Sequence, residues 1–253
     1  MSLLHCLRIL SAISVIGWGS LSYADPTIGT PTTAEAAVGT PNTVTFNHTI
    51  ESDANLVLIC LAERDTNASG FTVDTASVTV GGQAATQLIG QGNGATIRTV
   101  MFYRLAPPTG TQSISVTGDT GNDRLMVAAI AVINAAQTST FNTAKGAGTT
   151  ATTNMDVDTI SSAIGELGVM CGSIRTSAIT ASADATSPVS TEQVDVAHSD
   201  STSVRIFMYT EAGAATSIDM RVDASGSADW AATAVSIRAS AGSTRRRLPI
   251  HFP

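Results

Sequence analysis

The sequence predicts an all-β protein, an antiparallel two-sheet β-sandwich of jelly-roll-like type built from an internal duplication of about six strands each. Hydrophobic residues make up 43% of the 253 residues, which is enough to bury a real core. Charged residues are only 13% and include a single lysine, so residues that favour helices are scarce while Thr, Val and Ile recur. Short apolar runs also follow one another at regular spacing, as strands do.

The first half of the chain carries six strand patterns and one tight turn. An extended arm without periodicity, residues 25–42, precedes them. Gly81-Gly82 predicts a turn inside the third pattern. The predicted strands lie at 43–50, 55–64, 76–89, 97–105, 112–118 and 124–133.

The second half repeats this organisation after a polar segment rich in Gly and Thr, 135–153, which we interpret as a connecting linker. A basic tail, 241–253, carries Arg245, Arg246 and Arg247 and is typical of a solubilising end. The sandwich is thus expected over 43–240, with halves 43–134 and 154–240. The predicted strands lie at 154–160, 166–175, 191–197, 203–211, 217–223 and 230–239.

Three ordered matches indicate the duplication. "NLVLICLAER" aligns with "ELGVMCGSIR", which places Cys60 on Cys171 and Arg64 on Arg175. "VMFYRL" aligns with "IFMYTE", with Tyr103 on Tyr209, and "LMVAAIAV" aligns with "WAATAVSI". Two arrangements fit: two Ig-like sandwiches in tandem, or one larger sandwich to which each unit supplies half. Long apolar strands that must be buried on both faces favour the single sandwich.

The N-terminus has the features of an export signal. Residues 1–24 contain an early Arg8, an apolar stretch from Ile9 to Trp18 and the small-x-small pattern that ends at Ala24, so we expect cleavage after Ala24. The apolar run is too short to span a bilayer. The alternative is an unprocessed apolar arm of an intracellular or virion protein. We therefore expect an extracellular or cell-surface protein, with periplasm or virion as alternatives.

Several stretches resemble a known group of proteins. "ASVTVGGQAATQL", "VMFYRLAPPTGTQSISVTG" and the closing "WAATAVSIRAS" are similar to an uncharacterised duplicated β-sandwich family, jelly-roll-like and common in bacterial and phage genomes. The resemblance covers roughly residues 43–240. It implies the fold, and it transfers no activity and no site residue.

The two cysteines left after the leader, Cys60 and Cys171, are an even pair in an oxidising compartment. Strand alternation places both on core-facing sides, so we expect inert sulfurs rather than nucleophiles. A disulfide between equivalent positions is one alternative. Two buried free thiols are the other, because facing sheets lie ~10 Å apart and a disulfide needs closer Cα atoms.

Other candidate sites are weaker. The turn "GDTGND" offers Asp119, Asn122 and Asp123 as oxygen ligands for calcium, although turn geometry alone explains these residues. "DVAHSD" brings Asp195, His198 and Asp200 together as a group that could hold a metal or orient a catalytic base, with a solvated loop histidine as the alternative. Paired acids for glycoside hydrolysis would have to come from a set of five glutamates: Glu51, Glu63, Glu166, Glu192 and Glu211.

No convincing catalytic or cofactor-binding set emerges, so the predicted function is non-enzymatic. The net charge of −7 argues against nucleic-acid binding. We expect a structural or adhesive module of a cell surface, extracellular fibre or virion, with other protein subunits or surface glycans as partners. The alternatives are a carbohydrate-binding module, which the scarcity of aromatic residues disfavours, and a jelly-roll glycoside hydrolase or polysaccharide lyase.

Overall fold

A computed structural model describes residues 24–36, 43–64, 76–94, 96–118, 124–176, 178–183, 190–199 and 204–241. These residues form antiparallel β-sheets and no helix, which confirms the all-β sandwich class. We call residues 24–134 the first half and residues 135–241 the second half.

Two sheets make up the first half. The first broad sheet has the order β1-β10-β4-β8-β7, with β2 also paired to β10, and the first cover sheet has the order β3-β9-β5-β6. Gly81 and Gly82 take left-handed backbone (φ 55° and 74°) at the β5–β6 turn, as predicted. The strands are β1 (Thr27–Ile28), β2 (Thr32–Glu35), β3 (Thr43–Ile50), β4 (Ala54–Arg64), β5 (Ser77–Val80), β6 (Gln83–Ala84), β7 (Thr86–Gly92), β8 (Ile97–Leu105), β9 (Gly110–Thr117) and β10 (Arg124–Ile133).

The second half repeats this plan with two very long strands. The second broad sheet contains β12, β15 and β14 together with residues 141–149 of β11 and 230–237 of β16. The second cover sheet is formed by the other parts of the two long strands, residues 154–161 and 217–223, which pair with each other, and β13 extends it. Register shifts around Thr152 and left-handed backbone at Ala151 mark the bend between the two layers. The strands are β11 (Phe141–Ser161), β12 (Leu167–Ile174), β13 (Ala181–Ala183), β14 (Thr191–Ala197), β15 (Arg205–Ala212) and β16 (Ser217–Ile237).

Three cores hold these layers together. One core lies between the first cover and first broad sheets, around Ile59 and Ile114, and another lies between the second broad and second cover sheets, around Phe207 and Met220. The third lies between the two broad sheets and contains Leu58 and Cys171. Both predicted arrangements are therefore partly present: each half closes its own sandwich, and each supplies one broad sheet to a central sandwich.

Two segments differ from the sequence prediction. The arm 25–42 contributes β1 and β2 to the edge of β10, and the linker 135–153 contains the first part of β11, which pairs with β16. Each segment thus adds an edge strand to the broad sheet of its own half. Both sequences are rich in Thr, Ala and Gly, and the arm also contains prolines, so period-2 alternation is weak and the pattern does not reveal a strand.

The alignment of Tyr103 with Tyr209 was wrong by one residue. Met101 lies opposite Cys60, and Met208 lies opposite Cys171, so Phe102 is the structural counterpart of Tyr209. A slip of one residue moves a side chain to the other face of its sheet. Tyr103 accordingly packs against the central core, whereas Tyr209 is buried in the core of the second half.

Candidate functional site

Cys60 and Cys171 are joined by a disulfide at the centre of the molecule, with 6.1 Å between their Cα atoms. Both residues are completely buried between the two broad sheets. Small neighbours from both halves, including Ala62 and Ala231, line the same core and let the sheets approach within disulfide range. Bonded to each other, the two sulfurs link the equivalent core strands β4 and β12.

The strands β4 and β12 run in the same direction on either side of this disulfide, since both end at one cleft. Their first residues therefore lie at one end of the molecule and their last residues at the other. At one end, Asn134 Nδ2 donates to the carbonyl of Asp25 (3.4 Å) and the Asn134 carbonyl accepts from the Ser240 amide (2.6 Å). Both ends of the described chain therefore meet there, and we call this end the terminal pole. Arg64 and Arg175 lie at the far ends of β4 and β12, which we call the arginine pole. The eleven residues of β4 separate the poles by about 33 Å.

A cleft of about 510 Å³ opens at the arginine pole. Arg64 and Arg175 both line it, so the two arginines that sequence alignment matched converge on one opening. Arg175 Nη1 donates to Asp229 Oδ2 (2.6 Å), and Asp229 Oδ1 accepts from the Ala151 amide (3.3 Å). At the equivalent register position of the first half, Arg64 lies opposite Arg124 instead of an acid.

Sequence reasoning missed a second pair of equivalent arginines, Arg98 and Arg205. Arg98 is the second residue of β8, Arg205 is the first residue of β15, and both are buried. Arg98 forms an ion pair with Glu63, in which both side chains are fully buried, and Arg205 Nη1 lies 2.7 Å from Asp195 Oδ1. The signal was an Arg-x-x-Met pattern shared by "IRTVM" and "VRIFM", which the alignment on tyrosine concealed.

Ionisable groups in the second-half core are shifted by burial. Burial raises the pKa of Asp195 even though Arg205 opposes that shift. Burial, and then the hydrogen bond that the hydroxyl donates to Glu192 Oε2 (3.0 Å), raise the pKa of Tyr209. Burial, with a smaller contribution from the charge of Asp219, raises the pKa of Glu211 to about 7. Desolvation is the common cause, since it disfavours the charged form of each group.

The five acids considered for glycoside hydrolysis have different neighbours. Glu63 pairs with Arg98, and Glu211 lies in the core of the second half with Asp219 as its charged neighbour. The other three accept hydrogen bonds from separate places: Glu51 from the Thr30 amide, Glu166 from Ser236 Oγ, and Glu192 from the Tyr209 hydroxyl.

The two described histidines hold the N-terminal strand β2. His198 Nε2 donates to the Ala36 carbonyl (2.9 Å), so this histidine links the second half to the arm of the first. His48 Nδ1 lies 3.0 Å from Thr32 Oγ1, and burial lowers the pKa of His48, partly offset by Glu51. The predicted grouping of His198 with Asp195 is not formed as a site, because Asp195 faces Arg205; Asp200 lies outside the described residues.

The candidate calcium ligands Asp119, Asn122 and Asp123 also lie outside the described residues. Within the described part of the chain, no three His, Cys, Asp or Glu side chains are grouped as a metal ion would require. The residues of the described ranges likewise include no helix of the length and hydropathy needed to cross a membrane.

No protein-family model, curated protein or solved structure matches the chain. The resemblance to duplicated sandwiches of bacteria and phages therefore stays a prediction.

Proposed function

We propose that the protein is a non-enzymatic structural or adhesive module of a cell surface, extracellular fibre or virion, and that it acts by assembly or surface binding. The observation that carries this proposal is that the two ends of the molecule differ. Both ends of the described chain leave at the terminal pole, and a cleft lined by both halves opens at the opposite pole. A module attached through its terminal segments would present the cleft outward.

A stiff connection between the poles supports the same function. Each broad sheet is covered on both faces, and the disulfide fixes the two halves to each other at their central strands. Buried contacts across the interface add to this, since Thr99 Oγ1 and Ser173 Oγ lie 2.7 Å apart and Thr99 also donates to the Ala231 carbonyl (2.8 Å). Force or contact at one pole is thus transmitted to the other without a hinge between the halves.

The test measures assembly and surface binding separately with residues 25–253. Sedimentation velocity over a range of protein concentrations detects self-association, and flow cytometry with labelled protein detects binding to intact cells of the source organism. We expect at least one to be positive. A chain that stays monomeric at every concentration and binds no cells would contradict the proposal.

Orientation provides the control. Beads that hold the protein through an N-terminal tag leave the arginine pole free, and beads that hold it through a tag inserted after Ser227 cover that pole. We expect the first beads to retain binding and the second to lose it. Equal binding by both would contradict the assignment of the two poles.

A further inference from the structure

We propose that the cleft at the arginine pole binds an acidic sugar, with the two equivalent arginines holding its carboxylate. This inference rests on the proposed function and names the class of ligand that the module would bind. Three features of the cleft support this ligand class: the charge that the duplication places there, the other groups that line it, and its size.

The duplication brings two guanidinium groups to one opening. Arg64 ends β4, and Arg175 follows directly after β12, so each lies at the same point of its half. Since β4 and β12 are the strands linked by the disulfide, their ends stay side by side. A carboxylate between them would accept charge-assisted hydrogen bonds from both halves, and the planar fork of arginine suits a two-oxygen acceptor.

The remaining lining favours a sugar over a chain of acids. Among the described residues that line the cleft, Ser227 and Thr176 contribute hydroxyls, Ile179 contributes an apolar side chain, and Ala151 and Ala228 contribute only methyl groups. Asp229, already bonded to Arg175, would repel a dense polyanion such as polyphosphate or an acidic peptide. It would accept a hydrogen bond from a sugar hydroxyl, so one acid group flanked by hydroxyls fits best.

The size of the cleft agrees with such a ligand. Its volume of about 510 Å³ lies within the roughly 300–1,000 Å³ typical of small-molecule sites. The cleft opens to solvent at the end of the molecule, so a sugar unit within a longer polysaccharide can enter without a chain end.

Isothermal titration calorimetry with galacturonic acid oligomers tests the proposal, with galactose oligomers as the neutral probe. We expect binding of the acidic oligomers only. Removing a charged donor costs about 1.5–3 kcal/mol, so Arg64→Gln should weaken binding by roughly 10- to 150-fold. Arg104→Gln is the matched control, because it removes the same charge from the first half on β8, near the terminal pole, and we expect less than a twofold change.

Two further variants keep the test decisive if Arg64→Gln does not fold. Ser227→Trp places a large ring in the cleft from an exposed position and keeps both arginines in the sequence, and it should abolish binding. Asp229→Asn removes the repelling carboxylate, so the variant should bind poly-glutamate, which the unmodified protein should not bind.

The outcomes separate this inference from the proposed function. Cell binding that persists without any binding of acidic oligomers would overturn the sugar site and leave the proposed function standing. Poly-glutamate binding by the unmodified protein would overturn the ligand class, and acidic-sugar binding unaffected by Arg64→Gln and Ser227→Trp would overturn the site.

Discussion

Leu61 and Val100 in the first half occupy the same place as Gly172 and Phe207 in the second. Each pair lies directly opposite across its two central strands, β4 and β8 or β12 and β15. The first half fills the space with two side chains of medium size, whereas in the second the ring of Phe207 occupies the position that a Cβ on Gly172 would take. The two halves therefore share the same strand register, whereas the sizes of the two paired side chains differ between the halves in a compensating way.

The buried arginines also occupy equivalent positions in the two halves but have different neighbours. Arg98 and Arg205 are equivalent, but the carboxylate comes from β4 in the first half (Glu63) and from β14 in the second (Asp195). A buried guanidinium needs a partner wherever it lies, because an uncompensated charge in a core is costly. The position of the arginine is thus kept, while its acid has moved to another neighbouring strand.

The largest effect is expected from removing the link between the halves. The disulfide closes a separation of 111 residues, and the chain-entropy account gives a loss of about 4–5 kcal/mol in the free energy of unfolding for Cys60→Ala/Cys171→Ala. Urea unfolding of the variant and the oxidised protein measures this difference. Reducing agent should lower the stability of the disulfide-bonded protein and leave that of the variant unchanged. A variant with the same urea midpoint as the oxidised protein would contradict a stabilising disulfide.

Breaking the buried ion pairs comes next. Glu63→Gln should lower the free energy of unfolding by about 3–5 kcal/mol, because it leaves the guanidinium of Arg98 in a core without its carboxylate. Asp195→Asn should cost less, since the side chains of Arg205 and Asp195 retain 11% and 9% exposure. Arg98→Met/Glu63→Met serves as the control, because removing both charges should restore much of the loss in urea unfolding. Equal losses for Glu63→Gln and Asp195→Asn would contradict the comparison.

A smaller effect is expected from the glycine. Gly172→Ala should lower the free energy of unfolding by about 1–3 kcal/mol, because the new methyl group meets the ring of Phe207. Gly172→Leu/Phe207→Val transplants the first-half pair into the second half and should be more stable than Gly172→Leu alone. Thermal unfolding ranks the three variants by stability. A double variant that is no more stable than Gly172→Leu would show that the pair Gly172 and Phe207 is not equivalent to the pair Leu61 and Val100.

The last effect concerns pH. Glu211 has a folded-state pKa of about 7 against an ordinary value of 4.5, so the folded protein holds this proton more tightly than the unfolded chain. Its contribution to stability is greatest below pH 4.5, falls as the pH rises from 4.5 to about 7, and is constant above that. Glu211→Gln should remove this slope, so the stability of the unmodified protein minus that of the variant should fall between pH 4.5 and about 7. Asp219→Asn should move the midpoint of that fall to lower pH. A difference that rises with pH would contradict the assignment.

The sequence predicted the central apolar strands better than the short or polar edge strands. Strands β3, β8, β10 and β14 have the expected limits because each is bounded by clear turn signals and carries a strong apolar pattern. The core-facing side of Cys60 and Cys171 followed from alternation alone. β1, β2, β13 and the first part of β11 were not predicted, since short or polar edge strands depend on their neighbours for pairing.

The candidate site was only partly predictable. Alignment identified Arg64 and Arg175 as equivalent, but their convergence on one cleft depends on the two broad sheets packing face to face, which no local pattern encodes. The ion pairs of Arg98 and Arg205 required the correct register of β8 and β15. A shift of one residue was enough to hide them.

The central claim is that the two halves pack face to face along their equivalent core strands. Mass spectrometry of the purified, non-reduced protein after denaturation, alkylation and proteolysis tests it most directly. We expect a cross-linked peptide pair containing Cys60 and Cys171, which separates on reduction. Recovery of both cysteines as alkylated thiols from the non-reduced protein would contradict the claim.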